Sequence, residues 1–202
     1  MKNYTDVNGI EHHVFSFEKE IDFKIDNLSK QEKHCTYCGV FRRYLLNKKS
    51  RELGAGKLAV GHNLDDEAQS VLMNVMRGDM KRMQRLGLPS DDSKFSKRIK
   101  PLKNVPEKEI VAYALINNIP YFDGECPNSF NNQRRDVQTL VNDMENKYPG
   151  TKNNIIKFYG RIKPNLTEEG LLTHCIRCGE PASQDICKAC ELQERIKGSQ
   201  TQ

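Results

Sequence analysis

Four cysteines near the C-terminus, Cys175, Cys178, Cys187 and Cys190, are spaced C-x2-C-x8-C-x2-C. That number and spacing satisfy one tetrahedral metal ion completely. Gly179 and Pro181 suit the turn of the first knuckle. The segment has few apolar residues, so binding of Zn(II), on the order of 10 kcal/mol, is expected to fold it. Four thiolates leave no position for a substrate, which makes this a structural staple. The other three cysteines, Cys35, Cys38 and Cys126, form a lone C-x2-C with one distant partner. Three thiolates leave a coordination position open, and open positions are where metals do chemistry.

At 202 residues the chain can hold one sizeable core and a small appended module. Hydrophobic residues are 37% and charged residues 29%. No apolar run approaches the roughly 18 residues of a membrane span, and the N-terminal MKNYTDVNGIEHH has no signal-peptide core. A cytoplasmic chain is expected, and in a reducing compartment paired C-x2-C motifs point to metal rather than disulfides. The net charge of +5 is compatible with a polyanionic partner without requiring one.

Periodicity from residue 39 predicts a helix, GVFRRYLLNKKSREL, with Val40, Tyr44, Leu45 and Leu53 apolar, stopped by Gly54 and Gly56. KLAVGH (57–62) reads as a buried parallel strand. Asn63 or Asp65 can cap the next helix, DDEAQSVLMNVMR, which Gly78 can end. RIKPL (98–102) then reads as a strand, PEKEIVAYALINN (106–118) as a helix, and IPYFDG (119–124) as a strand. Helices are expected at 131–147 and 151–160, and a frayed tail at 194–202. This alternation is the signature of an α/β fold, a parallel sheet with helices on both faces. Ligands in such sheets bind beyond the carboxyl ends of the strands. Gly61, His62 and the Asp65–Asp66 pair fall there, as do residues 123–126.

Cys35-Thr36-Tyr37-Cys38 sits immediately before the first helix, where the helix dipole favours thiolates. Three readings are open: a thioredoxin-like dithiol, half of a zinc site, or two ligands of an iron-sulfur cluster completed by Cys126. GHNLDDEA (61–68) reads either as a capped helix start or as a nucleotide site, in which an Asp orients Mg(II) and Gly61 lets the backbone approach a base or phosphate.

Together the motifs CTYCGVFRR at 35, GHNLDDEA at 61 with RGD at 77, RIKPLKNVPEKE at 98, ECPNS at 125, YPGTK at 148 and the C-terminal quartet resemble one family. They are similar to the cytosolic tRNA 2-thiolation enzymes, the TtuA-like group of the N-type ATP pyrophosphatase (PP-loop) superfamily. The resemblance implies an enzyme that adenylates the C2 oxygen of a tRNA uridine, the wobble base favoured, and replaces it with sulfur. It implies that Cys35, Cys38 and Cys126 hold a 4Fe-4S cluster, that Gly61, His62, Asp65 and Asp66 meet ATP with Mg(II), and that Arg42 and Asp65 face the reaction centre. An older proposal for such enzymes uses two of these cysteines as persulfide carrier and resolving thiol. Free sulfide or a ubiquitin-like carrier would donate the sulfur, and a homodimer without membrane attachment is expected.

The family's Ser-Gly-Gly-x-Asp-Ser pyrophosphate-binding loop and N-terminal zinc module do not occur in these 202 residues. Residues 1–165 are therefore read as a partial PP-loop domain, 170–193 as a four-cysteine zinc ribbon and 194–202 as a flexible tail. The chain reads as a truncated form, expected to bind ATP poorly by itself. Two rival readings are a non-enzymatic, zinc-containing RNA-binding module and a thiol oxidoreductase that uses only Cys35 and Cys38.

Overall fold

A computed structural model describes residues 2–29, 33–86, 96–124, 126–128, 133–166 and 173–199. In chain order these form α1 (Lys2–Val7), α2 (Phe17–Ile21), α3 (His34–Glu52), β1 (Lys57–Ala59), α4 (Leu64–Met76), α5 (Met80–Arg85), β2 (Lys97–Ile99), α6 (Glu107–Ile116), α7 (Gln133–Lys147), α8 (Thr151–Ile162), β3 (Thr173–His174), β4 (Pro181–Ala182) and α9 (Lys188–Ser199). β1 and β2 pair in parallel, Lys57 opposite Lys97 and Ala59 opposite Ile99. β3 and β4 form a small antiparallel ribbon, β3 just before Cys175 and β4 between the two cysteine pairs. The fold is α/β with a parallel sheet, as expected.

Helix α4 starts where local chemistry says it should. The Asn63 side chain accepts the N–H of Asp66 at 2.9 Å, and the Asp66 carboxylate accepts the N–H of Asn63 at 3.2 Å, a complete capping box. Ala68 then packs with Val137 of α7 and with Val141, while Val71 packs with Met83 and with Tyr159 of α8. These apolar contacts join α4, α5, α7 and α8 into one core.

Four expectations are corrected. Helix α3 begins at His34, so both cysteines of the C-x2-C lie on it rather than before it. Tyr37 and Phe41, one turn apart, bury against Phe23, and that packing carries the helix back across Gly39. The strand after α3 is shorter than 57–62, and Lys57 and Ala59 are exposed, because the described sheet has only two strands and covers neither face fully. Residues 119–124 form no strand: among the described residues no ladder bond reaches them, and Tyr121 and Phe122 stand exposed. A strand exists only where a neighbour completes its hydrogen bonds. The segment expected to fray is helical up to Ser199, with 200–202 outside the described residues.

The quartet also has more core behind it than its composition suggests. Ala189 and Leu192 of α9 are buried in one cluster with Phe23, Tyr37 and Phe41. Glu180, between the two knuckles, accepts hydrogen bonds from Asn47 Nδ2 at 2.9 Å and from Arg51 Nη1 at 3.0 Å, with Arg51 Nη2 on its other oxygen. Asn47 in turn accepts the N–H of Ser96 at 3.0 Å. A buried amide thus ties the quartet, α3 and the lead into β2 together.

The acidic corner of α4 hides an ion pair. Asp65 is 4% exposed; one oxygen accepts the N–H of Glu107 at 2.8 Å and the other meets Lys152 Nζ of α8. Removing one member of a buried pair typically costs about 3–5 kcal/mol, since the other charge is left without a partner. Lys152→Ala is therefore expected to lower unfolding free energy by about that amount in a urea titration. A change below about 1 kcal/mol would show that the pair does not hold α4 to α8.

Candidate functional site

The thiols of Cys35 and Cys38 rise from the first turns of α3, where free backbone N–H groups and the dipole stabilise negative charge. Cys35 is exposed, and its Sγ lies 3.9 Å from the carbonyl oxygen of Asn128, two residues beyond the exposed Cys126. Cys38 is half-buried; burial pushes its thiol up, Arg42 opposes this, and the charges of Cys126 and Cys35 raise it further. Cys38 thus feels the charges of Cys35, Cys126 and Arg42, residues up to 91 positions apart in the chain.

The three thiols are less tightly gathered than the quartet. Cys175, Cys178, Cys187 and Cys190 have all four sulfurs within 4.8 Å of one another. A Zn–S bond of about 2.3 Å sets tetrahedral sulfur separations of about 3.8 Å. Cys175 to Cys190 is 3.8 Å and Cys178 to Cys187 is 3.6 Å, so the quartet fits one zinc ion. Burial disfavours the Cys175 thiolate, but amides of Cys187, Cys178 and Arg177 outweigh it and hold this thiol down to about 6. Burial and neighbouring thiols push Cys178 up to about 11 and raise Cys190 as well. Four thiols in one place ionise together only with a cation among them. Gly179, at φ 68, gives the first knuckle its left-handed turn. The wider triplet has the donor set for a larger group, three thiolates around an iron-sulfur cube.

At the strand-to-helix corner, Gly61 and His62 are exposed beyond β1, and a Cβ at Gly61 would meet nothing within 4 Å. Burial lowers the His62 pKa, with Asp66 opposing. Asp66 is held by Arg134 Nη2 of α7 at 2.7 Å and retains partial exposure. Asp65 points inward to Lys152, apart from this open corner. Arg42 also borders a cleft of about 400 Å³ between α3 and β1, walled by Phe15, Leu45 and Leu58.

Sequence reasoning missed the partners that fix these groups. Lys152 and Arg134 lie 87 and 68 residues from the carboxylates they hold, and no local spacing announces them. A faint signal existed in Glu180, an acid between two pairs of cysteines.

No family model matches the chain. Among curated relatives, it is 37% identical over 206 residues to the tRNA 2-thiolation protein NcsA of Haloferax volcanii, covering 93% of this chain and 64% of that protein. It is 34% identical to the tRNA-5-methyluridine(54) 2-sulfurtransferase of Pyrococcus horikoshii, over 89% of this chain and 59% of the relative. It is 36% identical to the cytoplasmic tRNA 2-thiolation protein 1 of Danio rerio, over 91% and 55%. Among solved structures, the U34-tRNA thiolase NcsA from Methanococcus maripaludis with its 4Fe-4S cluster superposes with a TM-score of 0.82 at 33% identity, over 96% of this chain and 63% of that one. The chain spans between 55 and 64% of these proteins. By sequence and by fold, it is similar to the NcsA- and TtuA-like tRNA 2-thiolation sulfurtransferases over about three fifths of their length.

Proposed function

We propose that this chain provides the sulfur site of a cytoplasmic tRNA 2-thiolation enzyme, which replaces the C2 oxygen of an ATP-adenylated uridine with sulfur, the wobble position favoured. The observation that carries this reading is the approach of Cys126 and Asn128 to Cys35 and Cys38 at the start of α3, with Arg42 beside them. Relatives named as cytoplasmic support the compartment, and no described helix is long and apolar enough to cross a membrane.

Cys35, Cys38 and Cys126 would hold a 4Fe-4S cluster, and the C-terminal quartet would hold zinc. When bound, such a cluster supplies a Lewis-acidic iron with one open position, the chemistry by which sulfide is presented. Every other task falls to side chains. Uridine C2–O is a poor leaving group until adenylated, after which the oxygen departs with AMP as the C–S bond forms. Arg42 is placed to meet the negative charge that develops on the departing AMP. Gly61 leaves the backbone open to the nucleotide, and His62 can donate an N–H to it. Asp66, steadied by Arg134, is the carboxylate for Mg(II), while Asp65 holds the corner through Lys152. Free sulfide or a ubiquitin-like carrier supplies sulfur, and two copies form a dimer.

The test has two anaerobic arms with tRNA, Mg-ATP and sulfide: the 202-residue chain alone, and the chain with a polypeptide bearing the pyrophosphate-binding loop. Mass spectrometry of digested tRNA should find 2-thiouridine in the second arm and at most a trace in the first. No product with the loop supplied would overturn the function. Abundant product from the chain alone would overturn the assignment of the ATP phosphates to a loop outside residues 1–202.

A further inference from the structure

Beyond the sulfur site, α3 carries a concentration of positive charge that the chemistry above does not use. On a helix, Cys35, Gly39, Arg43, Asn47 and Ser50 follow one another at steps of three and four and share a face. In an extended chain, Ser96 and Arg98 are two apart and share a side. The two rows are pinned in register: Asn47 Oδ1 accepts the Ser96 N–H at 3.0 Å, and the Ser50 and Ser96 hydroxyls are hydrogen-bonded. Two strand residues advance about 6.7 Å and four helix residues about 6 Å, so Arg98 comes level with Arg43.

The surroundings leave that pair unbalanced. A Cβ at Gly39 would lie 3.3 Å from Arg43 Nη1, so the guanidinium leans back along α3 towards the cysteines, over a residue with no side chain. Burial, then the charges of Arg98, Arg42 and Arg82, lower the Arg43 pKa, and Cys38 opposes them. Arg82 of α5 is paired with Asp79 at 3.2 Å. Among the described residues, Arg42, Arg43 and Arg98 make no ion pair. Converging guanidinium groups without a carboxylate are destabilising until an anion arrives, and their forked donors match a phosphate.

We propose that Arg43 of α3 and Arg98 of β2 form a clamp for a backbone phosphate of the RNA substrate, holding the strand beside Cys35, Cys38 and Cys126. The clamp rests on the reading of tRNA as substrate given above. Its place over Gly39, on the side of α3 that carries Cys35, favours the RNA backbone over the phosphates of ATP as the source of the anion.

Fluorescence anisotropy with a fluorescein-labelled tRNA transcript, on the intact chain at several KCl concentrations, tests it. Arg43→Gln with Arg98→Gln should weaken binding at least about tenfold and flatten the slope of log K against log salt by about 0.7–0.9, the loss of one phosphate contact. Lys157→Gln with Arg161→Gln on α8 removes the same net charge and should change affinity less than about twofold. Arg43→Lys with Arg98→Lys should weaken binding while keeping the salt slope, a pattern that misfolding would not give. Mg-ATP binding, measured by equilibrium dialysis with the loop-bearing polypeptide supplied, should be the same in all variants. Equal losses in the clamp and α8 pairs would overturn the clamp in favour of bulk charge. Weakened ATP binding with unchanged RNA binding would assign the arginines to a nucleotide. A wild-type chain that binds no tRNA would overturn the substrate reading and the clamp with it.

Discussion

Cys126→Ser is expected to remove the iron-sulfur cluster while leaving the fold intact. Cys126 is exposed, and surface substitutions away from packing usually change stability by no more than about 0.5 kcal/mol. Its thiolate, however, is one of only three available, and two remaining ligands do not hold a four-iron cube. Iron should fall from about four to below one per chain after anaerobic reconstitution, and 2-thiouridine formation in the complemented assay at least about a hundredfold. Far-UV circular dichroism should not change. The rival readings separate cleanly. A dithiol oxidoreductase working through Cys35 and Cys38 would be indifferent to Cys126, and an RNA-binding module would tolerate loss of all three thiols.

Cys187→Ser, or stripping the quartet with a chelator, should unfold the C-terminal module and loosen the site it supports. Cys187 is buried, its Sγ accepts the N–H of Cys190 at 3.4 Å, and it is one of the four thiols through which a metal would draw the knuckles together. Without the metal, Ala189 and Leu192 lose their frame against Phe41, and Glu180 loses its grip on Asn47 and Arg51. At roughly 2–4 °C per kcal/mol for a chain of this size, a loss of several kcal/mol lowers Tm by about 10 °C or more. Because α3 carries Cys35 and Cys38, cluster retention should fall too, although neither cysteine has been touched. An unchanged Tm in protein verified as zinc-free would rule out the structural role.

Local signals made part of this molecule legible in advance. The cap of α4 needed only Asn63 and Asp66, three residues apart, and the quartet needed only spacing. A parallel sheet holding strands near 57 and 98 followed from the helix between them, though the structure ends these strands at Ala59 and Ile99. The misreadings came where distant residues decide. Tyr37 on Phe23 moved the start of α3 across the C-x2-C, and residues 119–124 lacked a neighbour to make them a strand. Asp65 shows the same limit at the site. Its acidity and position beside Asp66 suggested an open carboxylate, yet Lys152 and the Glu107 amide turn it inward. Arg43 and Arg98 stand 55 positions apart, and their meeting depends on the Asn47–Ser96 bond.

The proposed function stands on three thiolates, and not four, holding a cluster on this chain. Metal and acid-labile sulfide analysis of the anaerobically reconstituted wild-type chain, with the absorption spectrum recorded before and after adding sulfide, decides whether they do. About four irons, about four sulfides and about one zinc per chain are expected, with a spectrum that shifts on adding sulfide because one iron is open. Zinc alone with no bound iron, or full iron content in a cluster indifferent to sulfide, would refute it.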